Sequence, residues 1–250
     1  MIAKRRSRPE EHNDVLSLLM AARDEENHGM TDTELVGQTA ILFMASFETT
    51  ASALCWTLFL LAQHPALMHE LMNELDAVLG GNPPAEGQLA QLPFAQQCDQ
   101  GKHARVAARS VHRARNDKYL DMGPHRVPTG ARIFCSHYLT HHLPELYPEP
   151  ERFRPERWRD INPNQYEYMS FSAGPRMCIG AAFATQLLKI SLTMILQQFR
   201  FAVIPGTRID RIVRIAMQPR QGLPMMIFKN DRKFAAAPVH GQIREMVTLP

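Results

Sequence analysis

The stretch from Thr31 to about Gln63 constrains this chain more than any other. Thr31-Asp32-Thr33-Glu34 reads as a helix start, with Thr31 as N-cap and Glu34 completing a capping box. Nothing breaks the pattern until His64-Pro65, because proline pushes the residue before it out of the helical region. A helix of that length extends about 45–50 Å at 1.5 Å per residue, enough to cross a whole domain. Its apolar run, Thr39 to Leu61, is interrupted by Ser46, Glu48, Thr49, Thr50 and Ser52. A membrane span rarely places a carboxylate and several hydroxyls at its centre. The expectation is therefore a buried helix of a soluble protein, with no membrane segment in this chain.

Other elements follow from periodicity. Val15, Leu16, Leu18, Leu19 and Ala22 recur at helical spacing within Glu10 to Glu26. Pro65 to Leu79 is a further helix, ended by Gly80-Gly81-Asn82-Pro83-Pro84, and residues 181–198 make another. Strand-like pieces lie at Arg126-Val127-Pro128, Arg132-Ile133-Phe134, Phe201-Ala202-Val203 and Met225 to Phe228. Pro144 to Pro163 is rich in proline and is expected to be ordered by its aromatics. The fold class is mainly α with minor β.

Composition narrows the function classes. With 45% hydrophobic and 21% charged residues over 250 positions, the chain is globular and can bury a sizeable core. The net charge of +3 argues for no nucleic-acid partner. Even that excess is local: Lys102, Arg105, Arg109, Arg113 and Arg115 face a single acid, Asp99, within 95–115. Nor does this segment interleave aromatics among its cations as a nucleic-acid-binding loop would. Cysteines at 55, 98, 135 and 178 have no C-x-x-C or zinc-finger spacing and read as a reduced, cytoplasmic chain. His141-His142 has no further ligands nearby to make a metal site.

Chemistry concentrates in Phe171-Ser-Ala-Gly174-Pro-Arg176-Met-Cys178-Ile-Gly180, which runs straight into an apolar helix. A lone cysteine ahead of a helix is ordinarily a small buried hydrophobe. Two glycines, an arginine and an aromatic in fixed register argue instead for a thiolate ligand to a metal. A helix N-terminus and a nearby cation favour the thiolate, and glycine lets a flat ligand approach the backbone. A second signal is Ala45-Ser46-Phe47-Glu48-Thr49-Thr50, midway along the long helix.

The first of these stretches resembles the haem-binding loop of the haem-thiolate monooxygenases, the cytochromes P-450, whose pattern is F-x-x-G-x-R-x-C-x-G. Every position of it is filled. The resemblance implies haem b as cofactor, Cys178 as the axial thiolate and metal ligand, and Arg176 paired with a haem propionate. Phe171 would pack beside the sulfur, Gly174 would form the turn, and Gly180 would let the next helix lie close on the porphyrin. The second stretch is similar to the family's A-G-x-[ED]-T-T segment. Ala45 would then lie against the cofactor, and Glu48 and Thr49 would be the acid–alcohol pair that relays protons in oxygen activation. Ser46 replaces the usual glycine. Pro150 to Trp158 resembles P-x-x-F-x-P-E-R-[FW], which implies that Arg157 joins a buried Glu–Arg–Arg network. Gln221-Gly222-Leu223-Pro224 is similar to the family's C-terminal substrate-pocket loop.

The resemblance covers residues 10–230 and only the C-terminal half of the family fold, so 1–250 reads as a partial domain of a longer ancestor, with an upstream membrane anchor left open. The implied function is insertion of one oxygen atom of dioxygen into a small organic substrate, with electrons from a reductase or ferredoxin. Two alternatives stand beside it: a non-catalytic truncated remnant, and a haem-binding sensor or electron carrier, which would not need Glu48 and Thr49.

Segment 95–115 departs from the family, which has a helix carrying E-x-x-R there. The residues from Ala95 to Arg105 fit neither a helical nor an alternating pattern. Codons permitted by Cys98 to Arg105, read one base later, spell Ala-Ile-Lys-Glu-Ser-Met-Arg, and those for Val106 to Val111 permit a proline-rich turn. The segment is therefore expected to be frame-shifted, by an inserted base near codon 95 and a compensating deletion near codon 115.

Overall fold

The computed structural model describes residues 2–7, 12, 14–85, 87–102, 112–115, 118–214 and 216–250. They fall into two compact units, Met1–Glu48 and Thr49–Pro250, with the boundary inside the long helix.

In the first unit, α1 spans Ile2–Arg6 and α2 spans Val15–Ala21. The helix expected over 10–26 is shorter because Asp14 caps it, accepting from the Ser17 N–H at 3.0 Å. At the other end, the Asp24 side chain accepts from the Glu26 and His28 N–H groups and turns the chain. Arg5 ties α1 to Asp14 at 2.7 Å, and Arg6 reaches Asp32 at 2.7 Å. The third helix, α3, spans Asp32–Gln63. Its capping box forms as expected, with the Thr31 N–H and hydroxyl both donating to Glu34 at 2.8 Å. These two donors hold the Glu34 carboxyl below its usual range.

Burial along α3 corrects the expectation of a uniformly buried helix. Phe43, Met44 and Phe47 are exposed, whereas Trp56, Phe59, Leu60 and Leu61 are fully buried. By length and composition α3 could cross a membrane, but its C-terminal half lies in the core of the second unit.

That core forms where α3 meets α4 (Pro65–Leu79), α5 (Pro93–Lys102) and α8 (Ala181–Gln198). Met68, Leu71, Met72 and Leu75 recur on one buried face of α4, and Leu188, Leu192 and Leu196 on one face of α8. Gly80 ends α4 in the left-handed conformation at φ 56°. The short helices α6 (His137–Thr140), α7 (Arg157–Asp160) and α9 (Ile243–Met246) are the remaining α-helices among the described residues. The β1 (His112–Arg115), β2 (Leu120–Met122), β3 (His125–Val127) and β4 (Arg132–Cys135) strands form two small antiparallel pairs, β2 with β3 and β1 with β4. Strands β5 (Phe199–Val203), β6 (Thr207–Arg208), β7 (Arg211–Val213), β8 (Met217–Pro219), β9 (Met225–Lys229) and β10 (Val239–His240) follow α8. Here β5 pairs with β9, β7 with β8, and β6 runs parallel to β10. Mainly α with minor β is the observed class.

The helix α5 corrects the non-helical reading of residues 95–105. Glu74 of α4 caps it, accepting from the Phe94 N–H at 2.7 Å and the Ala95 N–H at 2.9 Å. Ala95 and Cys98 are buried three residues apart. Lys189 of α8, itself buried, donates to the Leu89 carbonyl and to Gln96 Oε1 at 2.8 Å. These tertiary partners make a helix of a segment with little helical pattern of its own. Residues 103–111 of the proposed frame-shifted stretch lie outside the described residues.

Candidate functional site

The loop that leads into α8 gathers Phe171, Gly174, Arg176, Cys178 and Gly180. The Cys178 N–H donates to the Phe171 carbonyl at 2.8 Å, which closes the loop across its width. Inside, Gly174 to Arg176 make one tight 3-10 turn, and the Met177 N–H returns to the Gly174 carbonyl at 3.0 Å. Gly174 has φ 70°, a conformation costly for any residue with a Cβ. Ser172, two residues earlier, sits at φ 63°. Gly180 is the N-cap of α8, and the Ala184 N–H donates to its carbonyl at 2.8 Å.

Cys178 is exposed, which separates it from the buried-hydrophobe reading of a lone cysteine. Around it the surface is apolar: Ile179 is 91% exposed, Phe183 68% and Met177 54%. A Cβ at Gly180 would lie 3.9 Å from the Cys178 sulfur. Glycine there leaves that flank of the sulfur bare. An accessible thiol ahead of a helix N-terminus, a bare glycine flank, exposed apolar side chains and an exposed Arg176 together fit a flat, apolar, metal-bearing ligand with anionic edges.

Ala45, Glu48 and Thr49 share one face of α3 at i, i+3 and i+4 spacing. Ala45 is exposed, and Glu48 and Thr49 are half-buried, so Glu48 is not the buried carboxylate that the sequence implied. One and two turns on, Ser52 and Trp56 both donate to the Met217 carbonyl, at 2.8 and 2.9 Å. Both are buried, and they fix the start of β8 against α3. Gln221, in the loop after β8, donates to Asp210 at 3.0 Å.

Arg157 is buried, as the sequence implied, but its partners differ. Its guanidinium donates to the carbonyls of Pro148, Glu149 and Arg152 at 2.8, 2.8 and 3.3 Å. Its Nε has no partner, and no carboxylate lies within salt-bridge distance of it, among the described residues. Burial pushes its pKa down.

Tyr147 and Trp158, in the stretch from Pro144 to Pro163, pack together as expected, joined by His141 and Tyr168 from outside it. His141, Tyr147, Trp158 and Tyr168 pack edge to face and tilted, with centroids 5.1–6.0 Å apart. His141 and His142 follow the end of α6 and take different partners: His142 Nδ1 meets the Tyr138 carbonyl at 2.7 Å, and His141 Nε2 accepts the Met169 N–H at 3.0 Å. The signal was available in the aromatic spacing of 138–168, without any indication of which partners it joined.

Comparison with known proteins bears on the whole of this geometry. The family model described as Cytochrome P450 matches residues 2–224. Cyclooctatin synthase of Streptomyces melanosporofaciens is 34% identical over 203 residues, covering 80% of this chain and 44% of that protein. Cytochrome P450 3A5 of Homo sapiens is 33% identical over 207 residues, covering 78% of this chain and 40% of that one. The structure of retinoic acid bound cyanobacterial CYP120A1 superposes with TM-score 0.84 at 27% identity, covering 91% of this chain and 53% of its own. The chain thus spans about half the length of the relatives it matches.

Proposed function

Because the chain belongs to the cytochrome P450 family, we propose that it is the haem-binding part of a haem-thiolate monooxygenase that oxidises a small organic substrate. Haem is the cofactor of this family and of this chain. When bound, it supplies one-electron and dioxygen chemistry, and thiolate ligation favours O–O cleavage. The remaining work falls to the chain's own residues. The observation that carries the reading is the closed loop that holds Cys178 exposed at the head of α8.

In this reading Cys178 binds as thiolate, and the α8 N-terminus stabilises its charge. Arg176 offers a fixed cation to a propionate, and Ile179 and Phe183 exclude water from the porphyrin face. On α3, Glu48 takes up protons and Thr49 passes them on through its hydroxyl, as general acid–base work requires. Electrons come from a reductase or ferredoxin. Residues 1–250 act as one part of a P450 domain, and the protein works in the cytoplasm.

The test uses the haem-loaded chain with a ferredoxin and its reductase as electron source. Thr49→Ala is expected to raise the fraction of consumed electrons recovered as peroxide by several-fold, while oxygen uptake persists. An unchanged peroxide fraction would remove Thr49 from proton delivery. A second reading, a haem-binding remnant without turnover, draws support from the buried Arg157, whose guanidinium has backbone carbonyls and no carboxylate as hydrogen-bond partners among the described residues. Haem binding without any oxygen uptake would favour it.

A further inference from the structure

The cysteine loop does not determine its own shape. Within three residues it places Ser172 and Gly174 in the left-handed region. Such backbone persists only where surrounding structure over-determines it. On the C-terminal side α8 supplies that support. On the N-terminal side it comes from the aromatic cluster, through two hydrogen bonds to one short stretch. Tyr147, fully buried, donates its hydroxyl to the Glu167 carbonyl at 2.9 Å. His141, 1% exposed, accepts the Met169 N–H on Nε2 at 3.0 Å. Tyr168, between these two anchor points, packs on both His141 and Trp158. The next links lead to the sulfur: the Ser172 N–H donates to the Met169 carbonyl at 2.9 Å, and the Cys178 N–H to the Phe171 carbonyl at 2.8 Å.

An N–H facing Nε2 requires a lone pair there, so the neutral ring carries its proton on Nδ1. We propose that His141, as the Nδ1–H tautomer, is a positioning residue that sets the Cys178 loop by holding the Met169 amide. Its hydrogen bond falls on Met169, and from there the path to the sulfur runs through Ser172 and Phe171. The consequence for ligation rests on the reading of Cys178 as the haem ligand; the consequence for the loop does not.

The test uses the full chain and three variants. His141→Phe keeps a planar ring without an acceptor, and His141→Gln returns an amide oxygen near the position of Nε2. In His141→Phe, hydrogen exchange at the Met169 amide is expected to quicken by about tenfold or more, and in His141→Gln to return to within about threefold of the parent. After haem loading, the red-shifted Soret band of the ferrous–CO complex should weaken in His141→Phe and recover in His141→Gln. Cys178→Ala is the control: it should abolish the band and leave Met169 exchange slow. A band that survives in Cys178→Ala would sink the ligand reading, while the exchange data would still decide the role of His141. Unchanged exchange in His141→Phe, or equal acceleration in both His141 variants, would overturn the proposal. Should His141→Phe fail to fold, imidazole nitrogen shifts of the parent chain decide: an Nε2–H tautomer at His141 overturns it and an Nδ1–H tautomer supports it.

Discussion

Arg157 shows how one side chain can be legible in type and illegible in partner. Its neighbours Phe153, Pro155 and Trp158 announced burial, and it is 3% exposed. Three backbone carbonyls now do what a carboxylate would have done, and no local pattern in the sequence points to a carbonyl acceptor. Arg157→Met would leave those carbonyls unanswered and is expected to cost about 2–4 kcal/mol in a denaturant titration. Equal unfolding midpoints would show the three bonds to be worth nothing net. Asp210 carries the second residue-scale prediction. The Arg208 side chain, then the Gln242 N–H and the Gln221 amide, hold its carboxyl at about 2, below the usual 3.8. A lowered folded-state value means that the stabilisation is complete above about pH 4 and is lost as pH falls towards 2. Asp210→Asn should therefore destabilise the protein at neutral pH and flatten its acid unfolding over that window, followed by circular dichroism. Parallel acid curves for the two proteins would contradict the assignment.

At the scale of elements, α3, α4 and α8 were readable because each carries its own caps and period: Thr31 with Glu34, Pro65 with Gly80, and the leucines of α8. Helix α5 was not, because what stabilises it is distant in sequence: Glu74 caps its start and Lys189 holds Gln96. Likewise, β3 and β4 were visible as strands, but each takes a partner other than its neighbour across the Thr129-Gly130 turn. The frame-shift proposal belongs here. The shifted reading replaces Gly101, in the last turn of α5, by glutamate, a good helix former, and moves the helix's carboxylate from position 99 to 101. Replacing residues 95–104 by Leu-Asn-Ser-Ala-Ile-Lys-Glu-Ser-Met-Arg is expected to raise the thermal midpoint and haem content. Equal midpoints and equal haem content would make the basic segment a tolerated variant.

At the scale of the whole molecule, each unit leaves large side chains uncovered: Phe43 and Phe47 in the first, Ile179 and Phe183 in the second. Patches of this kind mark ligand or partner surfaces, and in the second unit the patch includes residues of the loop that carries Cys178 and the start of α8. The loop was legible because its chemistry is local, ten residues in fixed register. Its support by His141 and Tyr147 was not, because it is assembled from segments 20 and 28 residues apart. The claim that Cys178 is the haem ligand can be put to a direct measurement, the absorption spectrum of the haem-loaded, reduced chain under carbon monoxide. The parent should show the red-shifted Soret band that thiolate ligation produces, and Cys178→His, which still offers a ligand but a neutral one, should show the band unshifted. A red-shifted band that persists in Cys178→His would contradict the account.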